Sequence, residues 1–227
     1  MGRFINIADI PVEIERKKGL RAIRLKVCAK TGRPLVTAPL LTPDFWIRHF
    51  LESHIVWLQK QMEQIPIKSG FKDGEKIPLL GQEIILNHRP EIRRTSFIEN
   101  KILFVSGEAD FFHRRVCDFI KKEVKCYIEK ESFRLGTQLG VRVHHITLKD
   151  TTSRWGSCSS KGNLAFSWRL GLAPLFVLNY VIAHEVMHLK HMNHSDIFWH
   201  DLRRINPDVL RAQKWLKENG HLLHRYL

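Results

Sequence analysis

Long apolar runs are the first thing this chain of 227 residues lacks. No stretch approaches the roughly 18 uninterrupted apolar residues that a membrane span needs, so no span is expected. The opening segment MGRFINIADIP has no apolar core of the kind a secretory signal carries, and cytoplasmic residence follows as the default. Cysteine is scarce. Cys28, Cys117, Cys126 and Cys158 are scattered without a C-x-x-C pair and read as free thiols of a reducing compartment. No zinc finger, helix-turn-helix or RNA-recognition motif is visible, and there is neither an internal repeat nor a low-complexity linker. Acidic residues are in deficit: 23 Asp and Glu stand against 37 Lys and Arg, a net charge of +14. That balance favours polyanionic partners such as nucleic acid, nucleotides or acidic surfaces. The basic residues are spread along the chain, with small clusters at Arg16-Lys17-Lys18 and Arg203-Arg204, which fits a solvated basic surface equally well.

What is present is His184-Glu185-Val186-Met187-His188. Leu175, Leu178, Val181, Ile182 and Leu189 give the surrounding segment helical spacing. Residues four apart share a helix face, so His184 and His188 can offer two imidazoles to one metal ion. Glu185 lies about 100° round from His184 and can reach a water without being a ligand. In this H-E-x-x-H pattern two histidines bind Zn²⁺ and the glutamate takes a proton from the attacking water.

A third protein ligand is needed. Asn193 tolerates a left-handed cap and is the expected helix stop, with His194 just beyond it. The gap from His188 to His194 equals that of the metzincin pattern, but His191 stands at its glycine position and no methionine follows Met192, so there is no Met-turn. His191 competes for the role; on a straight helix it stands about 10 Å along the axis from His184, and His194 is the preferred ligand. Asp201 is a candidate acceptor for a ligand imidazole.

Elsewhere the period-two alternation of Ile23, Leu25 and Val27 against Arg24 and Lys26 predicts a half-buried strand, with others at 12–16 and 35–38. Thr42-Pro43-Asp44 opens a helix to Ile65-Pro66, whose aromatics Phe45, Trp46, Phe50 and Trp57 are read as core. Short strands at 77–80, 82–86, 95–98 and 102–105 form a small antiparallel unit, and a long helix runs from about Ala109 to Phe133. A strand at 143–148 and a hairpin of 153–157 with 163–169 precede the histidine helix. Ser195 can cap a helix to Ile205, another follows Pro207, and the tail from His221 is peripheral. The fold class is α+β, divided at 1–106, a β-rich module with one helix, and 107–227, a catalytic domain.

Arg154-Trp155-Gly156-Ser157-Cys158-Ser159, then 163–170, Ala173-Pro174, Tyr180-Val181, the H-E-x-x-H run and Asn193-His194-Ser195 with Phe198-Trp199 occur in order. This series resembles the YgjP-like metallopeptidase-domain family, which is related to the SprT-type zincins. The resemblance implies a zincin-like metalloprotease domain with one Zn²⁺ on His184, His188 and His194, another divalent ion being possible, and Glu185 as general base. It further implies that 163–168, with Asn163 and Phe166, is the edge strand that pairs with an extended peptide or protein substrate. Arg154 is a candidate for holding a developing oxyanion or a phosphate. Two alternatives use the basic charge: a metal-dependent nucleotide pyrophosphatase whose phosphates lie on Arg154 and Arg169, and a nucleic-acid-associated protein with a secondary metal site.

Overall fold

The computed structural model describes residues 3–28, 32–63, 70–151 and 154–226. The chain forms two compact units, Met1–Ile67 and Lys68–Leu227. Among the described residues no helix is long and apolar enough to cross a membrane.

The first unit is a four-stranded sheet and two helices. Strands β1 (Arg3–Ile7), β2 (Ile10–Lys17), β3 (Arg24–Val27) and β4 (Pro34–Pro39) are ordered β1-β2-β4-β3. β1 is an addition to the expected set. Its hairpin turns on Ala8 and Asp9, both at positive φ, a conformation usually flagged in sequence by Asn-Gly. β2 and β4 run parallel and the other pairs antiparallel, so the sheet is mixed. Its buried face, including Val12, Ile14 and Val36, packs on Ile47 and Leu51 of α1 (Asp44–Ser53) and Leu58 of α2 (Ile55–Glu63). The single expected helix is thus two, divided at His54. Thr42 does not cap it; Pro43 occupies the N-cap, and Asp44 pairs with Arg3 and Arg16 at 2.6 and 2.5 Å. Phe45 and Trp46 are not core, being 62% and 54% exposed.

The second unit carries two sheets around a helical core. Strands β5 (Lys76–Leu79), β6 (Gln82–His88), β7 (Phe97–Glu99) and β8 (Ile102–Val105) are ordered β5-β6-β8-β7. β6 and β8 are parallel, so this sheet too is mixed rather than antiparallel. It shares one apolar core with α3 (Phe112–Leu139) and α4 (Leu175–Met187), through Ile77, Leu86 and Leu103 on the sheet and Ile120 and Val124 on α3. Buried residues of 71–105, this sheet included, share that core with α3 and α4, and the second compact unit begins at Lys68. α3 spans 28 residues and overruns the expected end at Phe133, closing on Gly140 in the left-handed region at φ 66.

The third sheet, β9 (His145–Lys149), β10 (Gly156–Cys158) and β11 (Asn163–Ser167), has the order β10-β11-β9. β11 is therefore the central strand, bonded on both sides, and cannot accept a further strand. Among the described residues the free edge on the hairpin side is β10. After α4 come α5 (Asp196–Ile205), capped as expected by the Ser195 hydroxyl accepting from the Phe198 N–H, and α6 (Val209–Asn219). The tail is not peripheral. Leu223 and Tyr226 are buried, Tyr226 stacks on Phe71 with centroids 4.1 Å apart, and the Arg169 guanidinium donates to the Tyr226 carbonyl at 3.0 Å.

Candidate metal centre

α4 has the sequence LFVLNYVIAHEVM, apolar round nearly its whole circumference, and is buried accordingly. Val177, Leu178, Val181, Ile182 and Val186 lock it in the core, so the polar groups at its C-terminal end are held on a rigid element. The helix stops at Met187, short of Asn193: His188 is the C-cap, and the next turn tightens through Leu189 N–H to Val186 O and Lys190 N–H to Met187 O. No glycine or proline marks this end. The tightening turn reverses the chain and returns His194 to the helix.

His184, His188 and His194 come together, each offering one ring nitrogen, with these atoms all within 4.8 Å of one another. Ring centroids are 4.8 Å apart for His184 and His188, 4.9 Å for His184 and His194, and 4.6 Å for His188 and His194. Nε2 of His184 and Nε2 of His194 approach to 3.0 Å. Phe198, fully buried on α5, lies under all three rings at 5.1, 4.8 and 4.9 Å, and Trp199 stacks on His194 at 5.5 Å. The apolar side of α5 is thus the floor of the cluster, and the Ser195 cap sets the start of that helix next to the third histidine.

The protonation pattern suits metal binding. Nδ1 of His188 lies 3.1 Å from the His191 carbonyl, which only accepts, so Nδ1 holds the proton and Nε2 keeps a lone pair. Burial, and then the proximity of His188 and His194, pulls His184 down to about 4; burial likewise lowers His188. Among the described residues Nδ1 of His184 is buried without a hydrogen-bond partner, so that ring is oriented by packing and by its Nε2 contact with His194. Two nitrogens bonded to a tetrahedral ion at about 2.0–2.1 Å sit roughly 3.3 Å apart; the His184–His194 pair is at 3.0 Å and all three atoms lie within 4.8 Å. The donor set therefore fits a divalent ion.

His191 is not a solvated bystander. Its Nε2 lies 3.0 Å from Asp201, which also accepts from Lys190 at 3.0 Å and sits 3.3 Å from His200 Nδ1. These partners, His191 first, hold the Asp201 carboxyl well below the ordinary carboxylate range. Asp201 thus braces the turn that supplies the His188 partner, and does not contact a ligand imidazole directly as expected.

Glu185 is 6% exposed beside the cluster, and burial pushes its carboxyl up to about 7 against the opposing pull of Arg154. It faces β10: a Cβ built on Gly156 would fall 2.6 Å from both Cγ and Oε1 of Glu185. This contact beside the candidate site is not evident from the sequence. Gly156 stood in the quoted motif without a role, and nothing local ties it to Glu185.

Of the other sequence candidates, Arg154 is exposed just before β10 and close enough to act on Glu185, while Asn163 is exposed at the hairpin end of β11, where its N–H donates to Ser159 Oγ at 3.2 Å. Phe166 is 1% exposed and belongs to the core. Arg169 is 4% exposed, paired with Asp150 and bonded to the Tyr226 carbonyl, so it holds the tail and is closed to a phosphate.

A buried helix carrying two histidines and a carboxylate, with a third histidine folded back beside them, forms a group that could hold a metal ion. The YgjP-like, metallopeptidase domain family model matches residues 21–219, and the chain belongs to that family. The match spans most of both compact units and implies a metal cofactor for the three-histidine group. No curated protein and no solved structure matches the chain.

Proposed function

We propose that the chain is a zinc-dependent peptidase with His184, His188 and His194 as ligands and Glu185 as general base. The observation that carries this reading is the convergence of three imidazole nitrogens within 4.8 Å beside a buried Glu185. Three histidines leave one position of a tetrahedral ion open, as catalytic sites require. The ion, when bound, supplies Lewis-acid chemistry, acidifying a water and polarising a carbonyl.

The residues of the chain do the rest. Glu185, in a dry setting that brings its affinity for a proton near neutrality, accepts the proton of the attacking water and returns it to the leaving amine. Phe198 and Trp199 exclude water from one side of the imidazoles and fix their orientation. β10, rather than β11, offers the peptide a backbone. Ser167 N–H bonds Trp155 O and Ser159 N–H bonds Asn163 O, so by antiparallel alternation the main-chain groups of Gly156 and Cys158 point to the free edge. An extended substrate adding there would lie next to Glu185.

Metal content is the direct test. Wild-type protein without a histidine tag is expected to carry about one zinc per chain by mass spectrometry, and His194→Ala to lose most of it. Glu185→Gln should keep the metal and lose peptide hydrolysis. Equal zinc in wild type and His194→Ala, or full hydrolysis by metal-loaded Glu185→Gln, would overturn the assignment.

A further inference from the structure

Two concavities abut β10, one at each end. The first, about 300 Å³, runs across the sheet and is lined by Lys149 of β9, Thr151, Arg154, Gly156 and Ser157 of β10, and Ala165 and Phe166 of β11. The second, about 610 Å³, is lined by Arg142, His144 and the turn 159–162 with Lys161, and reaches Leu189 and Met192 in the segment between the second and third histidines. Neither lining includes a carboxylate. Arg142, Lys149, Arg154 and Lys161 are exposed and enter none of the ion pairs among the described residues. The nearest acid in sequence, Asp150, is committed to buried Arg169.

The larger concavity is built before any ligand arrives. Ser159 and Gly162 close the turn through Gly162 N–H to Ser159 O at 2.9 Å, and His144 N–H bonds Gly162 O at 3.0 Å. Gly162, at φ +78, packs so closely on His144 that a Cβ there would lie 2.8 Å from its ring. Lys161 and His144 are therefore presented from a latched turn.

We infer that the substrate of this centre is an extended acidic polypeptide, whose backbone adds to β10 and whose flanking Asp and Glu side chains enter the two basic concavities. The inference rests on the peptidase reading above and names its substrate class. The runs 154–157 and 159–162 flank a single strand residue, so an extended segment of about six residues, roughly 20 Å, spans both. The free edge favours a peptide over a nucleic acid: main-chain donors and acceptors in strand register match another polypeptide backbone. The concavities then add charge selection, with each exposed pair contributing modestly and screened by salt.

The test measures binding separately from catalysis. Full-length, zinc-loaded Glu185→Gln protein is titrated into fluorescein-labelled peptides of about twelve residues, which share a neutral centre and carry Glu and Asp, Gln and Asn, or Lys flanks. At about 50 mM salt the acidic peptide is expected to bind roughly tenfold tighter than the neutral one, the gap narrowing as salt rises. Lys149→Glu and Lys161→Glu should each weaken the acidic peptide several-fold, and together they should abolish the preference. Both side chains are exposed, and Lys149→Gln and Lys161→Gln provide milder versions should the reversals disturb folding. Equal binding of acidic and neutral peptides would overturn the inference, as would a preference that survives the double reversal. Displacement of the acidic peptide by a tighter-binding oligonucleotide of equal charge would overturn it in favour of a nucleic-acid surface. Wild-type protein that cleaves acidic and neutral peptides alike sinks this inference and leaves the peptidase reading standing. Charge-selective binding without cleavage of any peptide sinks the peptidase reading and with it the substrate role, leaving an acidic-peptide binding surface.

Discussion

Replacing Gly156 by alanine should disable Glu185 while leaving the metal cluster whole. Gly156 is not among the glycines at positive φ, so its backbone accepts an L side chain without strain. The added methyl meets a side chain, and the clash is deep: 2.6 Å to Cγ and Oε1 of Glu185 and 2.8 Å to Cδ. Ordinary contacts between such atoms lie at about 3.5–4.0 Å, so the carboxylate must retreat by about 1 Å. β10 cannot yield instead, because its pairing with β11 fixes Gly156 opposite Phe166, a core residue. A misplacement of about 1 Å in a catalytic group is worth on the order of 100-fold in rate, or about 2.7 kcal/mol of activation free energy.

The assay is kcat/KM on a peptide substrate, read beside zinc content and thermal stability of the same preparations. Gly156→Ala is expected to lose about 100-fold in kcat/KM with zinc near one per chain and a melting temperature within a few degrees of wild type. Activity within about threefold of wild type at full metal occupancy would refute the claim that this contact positions the base. Loss of metal together with activity would refute it differently, by showing that the strand supports the histidines rather than Glu185.

Three further expectations follow from the same geometry. In metal-free protein the folded Glu185 keeps a proton, to about pH 7, that the unfolded chain releases near 4.5. Its contribution to stability is therefore fully present below about pH 4.5 and lost as pH rises to about 7. Urea denaturation with chelator should show wild type losing up to about 3 kcal/mol relative to Glu185→Gln across that interval, and a pH-independent difference would contradict it. Asp201→Asn weakens the brace on His191 and so the carbonyl that orients His188; zinc affinity should fall about 10-fold, less than for His194→Ala, and unchanged affinity would mean the turn holds itself. A methyl on Gly171 would sit 2.0 Å from Val124 Cγ2, so Gly171→Ala should cost about 1–3 kcal/mol by overpacking, largely recovered in the double variant with Val124→Ala; a stability equal to wild type would show that α3 yields there freely.

What the sequence disclosed about this site divides by range. His184, Glu185 and His188 were legible because helical spacing is a local rule, and α4 obeys it to Met187. His194 was singled out from its gap to His188 and an expected helix stop at Asn193; the structure does bring it beside the other two, next to the expected Ser195 cap. The helix end was misplaced at Asn193 since the real stop is made by tightened backbone bonds after Met187, which no residue type encodes. Strand order was hidden for a different reason. That β11 is central depends on β9 pairing with it in parallel, a contact across the hairpin and its preceding loop, and alternation along β11 reads the same at an edge or a centre. The same ignorance put Phe166 on an edge strand when it is buried on a central one, and Arg169 at a phosphate when it anchors the tail. Gly156 shows what connects the two ranges: the glycine is needed only because a strand and a helix far apart in sequence meet at a carboxylate. Its identity is explained by the tertiary contact, and in turn it marks β10 as the strand brought against the base.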